Sequence, residues 1–264
     1  MPDDPLVSCL MVTLPSPRRL GFAERAIAAY CAQTYAHREL VILLDDGPAD
    51  AKAAIVDHVA ALDRTDISIT HAPPGLTLGA LRNLSGAMAS GAVLCQWDDD
   101  DLHHPRRVEK QLAALLAADT EASALSELTM FFPAKRELYL TNWSKAAVLV
   151  VPQAIIYHAD AGITYVETGD KARIGEDLEL CERLFARGQL SGLPGAPEMI
   201  VYMSHGANTG STDFHAMLAR RLGLSSGLLR KREARIREAL AVFDLGPGPV
   251  TVRGPNGPAF ILDR

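Results

Sequence analysis

Four consecutive carboxylates, Asp98 to Asp101, directly follow a short apolar run in this chain. Adjacent acids repel one another and are costly to bury, so we expect them where a strand ends and a cation can neutralise them. Mg²⁺ and Mn²⁺ prefer carboxylate oxygens and keep coordination positions for water and phosphate. In a strand, Asp98 and Asp100 would point one way and Asp99 the other. The run is therefore a candidate metal site for a phosphorylated ligand, but a solvated acidic turn or a helix cap at Asp98 would have the same composition.

The elements that must position this run alternate between strand and helix. The predicted strands are 6–13, 40–44, 67–70 and 92–95, and the predicted helices between them are 22–35, 49–62 and 78–90. Such alternation predicts parallel strands with helices on both faces of one sheet. Ligands bind such sheets beyond the carboxyl ends of the strands. Three further residues that follow strands, Thr13, Asp45 and Asp46, would therefore meet the acid run at one edge.

The second half of the chain has a different pattern. Short strand-like runs at 125–132, 137–141 and 146–151 predict the rest of a mixed sheet and an acceptor side. From residue 213 the chain becomes helical and basic, and residues 249–262 predict a hairpin. The basic helices fit a solvated face, a contact with an anionic lipid or polymer, or a homodimer surface, and the sequence leaves these open.

The ordered set of motifs resembles the family 2 glycosyltransferases of the GT-A fold. Three segments match family motifs: residues 78–87 match Gly-x-x-Arg-Asn-x-Gly, with Ser85 at the last position, Asp98–Asp100 match Asp-x-Asp, and residues 202–209 match Tyr-x-x-His-x-x-Asn-Thr. The other matches are Thr13 and Pro15 after the first strand, the acids Asp45 and Asp46, and the pair Glu176–Asp177. This resemblance implies an α/β, Rossmann-like domain over residues 1–212, with a mixed, mostly parallel sheet flanked by helices. Its nucleotide-sugar-binding half would be 1–104 and its acceptor-binding half 105–212. Residues 213–264 would form a C-terminal helical extension and hairpin tail.

The metal side of the predicted site serves the leaving group. Transfer of a sugar from a nucleoside diphosphate leaves negative charge on the diphosphate, which a bound metal stabilises as a Lewis acid. We predict Asp100 as the direct ligand of Mn²⁺ or Mg²⁺, with Asp98 or Asp99 reaching the ribose or a metal-bound water. By the resemblance, His205 completes the metal shell or contacts the diphosphate, although a lone loop histidine often does neither. Arg82 would place positive charge beside the diphosphate or, alternatively, pair with the acid run inside the chain.

The acceptor side of the predicted site needs a base. The acceptor hydroxyl loses a proton as it attacks, so a carboxylate must lie opposite the diphosphate. Asp177 is the candidate, with Glu176 beside it, and attack from the far face implies inversion of the anomeric configuration. Acids are favoured in the first turn of any helix, so it is the resemblance that favours the base. Trp97 and Trp143 could stack on a sugar or base, although Trp143 is equally suited to the core or to the wall of the acceptor site.

Composition sets the bounds of the prediction. A net charge of −6 and a pI near 5.7 argue against nucleic acid as a partner. Four cysteines stand singly, as expected in a reducing compartment. We see no signal peptide and no apolar run of the roughly 20 residues that span a bilayer. We therefore expect a cytoplasmic protein, with peripheral contact at the inner face of the membrane left open.

The predicted function is that of an inverting, metal-dependent glycosyltransferase. Its donor would be a nucleoside diphosphate sugar, with UDP favoured, and its acceptor a hydroxyl of a glycan or glycolipid. A nucleotidyltransferase is a second hypothesis, but it should carry a glycine-rich phosphate loop after the first strand, and residues 14–21 lack one. A non-catalytic nucleotide-sugar-binding module is the third.

Overall fold

The computed structural model describes residues 4–263, which form two β-sheets and eight α-helices. The strands are β1 Val7–Thr13, β2 Arg38–Leu44, β3 Ile67–His71, β4 Val93–Gln96, β5 Leu102–His103, β6 Ala122–Leu125, β7 Glu127–Phe132, β8 Glu137–Asn142, β9 Ile156–His158, β10 Leu190–Leu193, β11 Ile200–Met203, β12 Val250–Gly254 and β13 Gly257–Leu262. The helices are α1 Leu20–Cys31, α2 Ala49–Ala61, α3 Leu78–Ala87, α4 Arg107–Ala117, α5 Glu176–Ala186, α6 Thr212–Leu222, α7 Ser226–Lys231 and α8 Glu233–Leu240.

The first sheet confirms the predicted α/β architecture. Its strand order is β10-β6-β9-β4-β1-β2-β3, and the four strands from β4 to β3 are parallel. The apolar runs of β1, β2 and β4 are buried, as parallel strands covered on both faces must be, whereas most of the edge strand β3 is exposed. Strand β9 then pairs antiparallel with β4 and β6, which makes the sheet mixed.

The second sheet brings the functional segments of the two halves together. Its order is β13-β12-β8-β7-β11-β5. The acid run leaves the first sheet after β4 and enters the second through β5, which pairs antiparallel with β11. Because β11 ends at Met203, the next residues of the chain lie beside the acids.

The predicted tail hairpin is confirmed as β12 and β13. It joins the second sheet, where β12 lies parallel to β8 through the pairs Thr251–Glu137 and Val252–Leu138. The apolar faces of α7 and α8 pack on this sheet around Leu229, Ile236 and Leu240. The basic segment from residue 213 forms the three helices α6, α7 and α8.

Two predictions from the sequence are wrong. Residues 146–151 form turns and bends instead of a strand, and Val148 and Val150 are buried there because the loop itself packs into the core. Trp97 lies in the core with no exposed surface, and its indole N–H donates to the carbonyl of Ala26 at 3.1 Å. It therefore has no free face to stack on a sugar.

No helix within residues 4–263 is long and apolar enough to cross a membrane.

Candidate functional site

The four acids form the turn that connects the two sheets, with no strand geometry of their own. The predicted alternation of side chains therefore does not apply, and their partners set their directions. Asp99 and Asp101 are almost fully buried, at 3% and 1% exposure. The carboxylate of Asp101 accepts the backbone N–H of Met203 at 3.0 Å, which ties the turn to β11.

Asp100 and His205 meet across this connection. The Nε2 atom of His205 lies 3.0 Å from Oδ2 of Asp100, and the imidazole is only 7% exposed. The backbone N–H of Ala207 lies 3.2 Å from Nδ1 of His205, which favours the tautomer that donates from Nε2. Burial alone would raise the pKa of Asp100, but the contacts with His205 and Arg19 outweigh it and lower that pKa. The two predicted metal ligands are thus adjacent.

A cation that the sequence analysis did not single out also reaches the acids. The Nη2 atom of Arg19 lies 2.5 Å from Oδ1 of Asp99 and 3.1 Å from Oδ2 of Asp100. Burial and the adjacent Asp100 raise the pKa of Asp99 to about 7, although Arg19 opposes this shift. In the sequence, the position of Arg19 between the first strand and helix was the only signal of its role.

Arg82 joins the acid run to the helix start that carries Asp177. Its Nε donates to Oε1 of Glu176 at 2.8 Å, and its two Nη atoms lie 3.3 Å from Oδ1 of Asp98. The side chains of Arg82 and Glu176 are 10% and 3% exposed. Of the two expectations for Arg82, the geometry matches the internal partner of the acids. The predicted contact with a diphosphate stays untested.

The rest of the Gly79–Asn83 motif fixes the backbone that leads to this helix. The side chain of Asn83 bonds both backbone groups of Tyr165, at 2.7 and 2.9 Å. A Cβ on Gly79 would lie 1.9 Å from the carbonyl oxygen of Val166, so only glycine allows this approach. The motif thus positions the segment before Asp177.

Asp177 lies in the first turn of α5, after Gly175 at a φ of +86°. Its Oδ1 accepts its neighbour's backbone N–H, from Leu178, at 2.7 Å, and its other oxygen has no protein partner among residues 4–263. Burial and the adjacent Glu176 raise the pKa of Asp177 to about 6, with Arg82 opposing the shift. A carboxylate with this pKa is a better proton acceptor than an ordinary aspartate and is still mostly ionised at pH 7.

The predicted nucleoside-binding residues meet at the ends of β1 and β2. The backbone N–H of Asp45 donates to the carbonyl of Thr13 at 2.9 Å, and Pro15 is buried against the loop that follows Asp46. The hydroxyl of Thr13 is buried without a hydrogen-bond partner. Asp46 is exposed and pairs with Lys52 at 3.3 Å, whereas Oδ1 of Asp45 accepts the backbone N–H of Asp46 at 2.7 Å.

The donor set fits a divalent ion shared with a phosphate. A carboxylate suits Mn²⁺ or Mg²⁺ when water and phosphate oxygens complete the shell, and an imidazole nitrogen favours Mn²⁺ of the two. Within residues 4–263 no group of three or more His, Cys, Asp or Glu side chains is arranged to hold a metal by itself. Three buried polar atoms without partners belong to Asp99 and to the two arginines that contact the acid run, namely Oδ2 of Asp99, Nε of Arg19 and Nε of Arg25.

Replacing Arg82 with glutamine is expected to lower the free energy of unfolding by about 3–5 kcal/mol, because Glu176 and Asp98 lose their cation in a buried setting. Urea denaturation of the purified variant measures this. Arg106→Gln is the matched control, since Arg106 pairs with Glu109 at the surface and its loss should hardly move the midpoint. Unchanged stability together with weaker nucleotide binding would instead assign Arg82 to the diphosphate.

Known proteins resemble both the sequence and the fold. Residues 12–138 match the family model described as "Glycosyl transferase family 2". The putative glycosyltransferase EpsE of Bacillus subtilis is 33% identical over 115 residues, which cover 44% of this chain and 40% of that protein. The chain therefore spans less than half of this curated relative.

Two solved structures share the fold at low identity. Residues 1–349 of TarS from S. aureus, in complex with UDP, superpose with a TM-score of 0.58 at 12% identity, covering 91% of this chain and 67% of that one. The mannosyltransferase PcManGT from Pyrobaculum calidifontis, in complex with GDP-Man and Mn²⁺, gives 0.60 at 12% identity, covering 91% and 64%. Residues 12–138 thus match glycosyl transferase family 2, and the two-sheet architecture is the GT-A type of fold that these solved transferases share.

Proposed function

We propose that this protein transfers a sugar from a nucleoside diphosphate sugar to an acceptor hydroxyl with inversion at the anomeric carbon. One observation carries the proposal: Arg82 joins Asp98 of the acid run to Glu176, the neighbour of Asp177. The acids suited to the leaving diphosphate and the carboxylate suited to the acceptor proton are therefore held in one site. Such paired groups are what a single displacement requires.

The donor would lie along the carboxyl ends of β1, β2 and β4. Asp45 and Thr13 would face the nucleoside, with Pro15 beneath it, and Asp98 or Asp99 would reach the ribose. A Mn²⁺ or Mg²⁺ ion held by Asp100 and His205 would supply Lewis-acid stabilisation of the diphosphate. The UDP and GDP-Man complexes of the structural neighbours support a nucleotide sugar as ligand. UDP stays the favoured base by the resemblance.

Asp177 would accept the proton of the attacking hydroxyl. With a pKa of about 6, roughly nine tenths of this carboxylate is ionised at pH 7. Its oxygen without a protein partner is free to approach the acceptor. The two other hypotheses gain no support, because the loop after β1 presents Arg19 to the acids instead of a glycine-rich phosphate loop, and because both carboxylate groups of a transferase are present.

The acceptor would approach from the side of α6, which begins directly after the loop that carries His205. A cleft of about 580 Å³ lies between Lys135 and α6, where Arg220 and Arg221 have no carboxylate of residues 4–263 within ion-pair distance. Three cations and the single acid Asp213 favour an acceptor that carries negative charge, such as an anionic glycan or glycolipid.

Three other basic side chains of the C-terminal helices have structural partners. Arg230 and Arg237 bond to backbone oxygens of the hairpin, and Arg235 bonds to the carbonyl of Gly195. Arg220 and Arg221, which line the cleft, are therefore the cations that we propose for this contact. A cytoplasmic location, peripheral contact with the membrane and a homodimer remain proposals that follow from the sequence.

The test of this function is a transfer assay with UDP-, dTDP- and GDP-sugars, Mn²⁺ and a panel of neutral and anionic glycans and glycolipids. We expect transfer from one nucleotide class, with NMR showing that the new linkage has the anomeric configuration opposite to that of the donor. A product that retains the donor configuration would contradict the mechanism.

The double variant Arg220→Gln, Arg221→Gln should raise KM for a charged acceptor several-fold and leave KM for the donor unchanged.

A further inference from the structure

Arg19 lies where a metal-bound nucleotide would need the acids. Its Nη2 reaches Asp99 and Asp100, and its Nη1 lies 3.4 Å from the carbonyl of Ala207 in the His205 loop. The same oxygen of Asp100, Oδ2, is also the one that faces Nε2 of His205. A cation that takes this oxygen must therefore replace the contact with Arg19.

We propose that Arg19 is an internal counter-ion that holds Asp100 in the free protein and releases it only when metal and diphosphate arrive together. This inference rests on the proposed function, because it assumes that Asp100 is a metal ligand. Arg19 would then make the binding of metal and of nucleotide depend on one another.

The charges explain why the free site would hold metal weakly. Asp99 and Asp100 are adjacent acids in a largely buried setting, and Arg19 supplies the positive charge that compensates them. A divalent ion entering alone would have to displace this charge and leave the guanidinium unpaired beside it, which is unfavourable at short range. The two acids, while they are paired with Arg19, should therefore have a low affinity for a metal ion that arrives without an anion.

The donors of Arg19 explain why a diphosphate would change this. A guanidinium has five N–H donors, and its planar fork suits phosphate oxygens. In Arg19 the Nε donor is buried without any partner, so the group is not saturated by its contacts with the protein. The residue lies at the N-terminal boundary of α1, and its side chain is 15% exposed, which leaves it room to turn towards an incoming anion. The diphosphate would give Arg19 a new partner as the metal takes Asp100.

Such an exchange is a coupling between two ligands, and coupling of binding is reciprocal. The diphosphate should raise the affinity for metal by the same factor by which metal raises the affinity for the diphosphate. Removing Arg19 should increase the affinity for metal alone and bring this factor towards one.

The test is a titration of the full chain with Mn²⁺, in the presence and in the absence of UDP. The EPR signal of free Mn²⁺ measures how much of the ion is bound. We expect UDP to raise the Mn²⁺ affinity of the unmodified protein by at least tenfold. Arg19→Gln should bind Mn²⁺ alone at least fivefold more tightly and show a smaller effect of UDP, and Arg19→Lys should be intermediate. Arg18→Gln is the matched control, because it removes the same charge one residue away from an exposed side chain and should behave as the unmodified protein.

Each result decides the proposal. If Arg19→Gln binds Mn²⁺ alone no more tightly than the unmodified protein, the counter-ion role is wrong while the metal-dependent function stands. If no form of the protein binds Mn²⁺ at millimolar concentration with or without UDP, the metal site and the inference both fail. Thermal unfolding of each variant shows that the comparison is made between folded proteins, and Arg19→Lys keeps the test valid if the glutamine variant is unstable.

Discussion

Replacing Asp177 with asparagine is expected to lower kcat for sugar transfer by a factor of about 10²–10⁴, the usual contribution of a positioned general base. The amide keeps the size of the side chain but cannot take the acceptor proton. In the unmodified protein, kcat/KM should fall about tenfold per pH unit below the pKa of about 6, because protonation of Asp177 removes the base. This acidic limb should be absent from the residual activity of the variant, and a pH–rate profile of both proteins measures it.

Glu179→Gln is the control for this experiment. Glu179 lies in the same first turn of α5 and pairs with Arg183 at the surface, so the substitution removes an equal charge without touching the proposed base. Its kcat and pH profile should match those of the unmodified protein. Full activity of Asp177→Asn would assign the role of base to another residue. If neither protein transfers a sugar, the non-catalytic hypothesis is favoured instead.

Replacing Asp100 with asparagine is expected to abolish the metal-dependent stabilisation of the protein by its nucleoside diphosphate. At a ligand concentration a hundred times Kd, binding should add about 2.7 kcal/mol to the free energy of unfolding of the unmodified protein. The amide keeps one oxygen but loses the charge that a divalent ion needs, so the gain should disappear together with most of the transfer activity, at least a hundredfold. Thermal unfolding with UDP, dTDP, GDP, CDP and ADP, each with and without Mn²⁺, measures the gain and identifies the base.

Asp119→Asn serves as the comparison, because Asp119 is an exposed acid after α4 and lies outside the site. It should retain the full effect of the ligand. If Asp100→Asn retains it as well, the ion is held by other groups of the acid run. If no diphosphate stabilises the unmodified protein at millimolar concentration, the acid run does not form a nucleotide site.

The parts of the site that could be predicted are those that follow strands. The alternation of apolar runs predicted the parallel half of the first sheet, and the carboxyl ends of parallel strands bring Thr13 and Asp45 together. The meeting of Asp100 with His205 was implied by the resemblance, and the pairing of β5 with β11 explains it physically. Those residues could be placed because their positions depend on backbone topology.

The residues whose roles depend on side-chain direction could not be predicted. Arg82 lies one turn into α3, and nothing in its spacing indicates that it pairs with Glu176, 94 residues later. Arg19 lies in the loop after the first strand, and its contact with Asp99 depends on how that loop folds back. The prediction that Trp97 could stack on a sugar or base fails for the same reason. The chain leaves strand geometry after Gln96, so the alternation of side chains no longer indicates which of them are buried.

The pairing of β12 with β8 has a consequence for the order in which the molecule folds. Arg136, just before β8, bonds to the carbonyl of Pro249, 113 residues further along the chain. Contacts of such high sequence separation form late, since the entropy of closing the loop must be lost before they stabilise anything. The parallel strands from β1 to β4 have shorter connections and can associate first. The contact of Asp100 with His205 also spans 105 residues and depends on the pairing of β11 with β5, so by the same argument it forms after the parallel strands have associated.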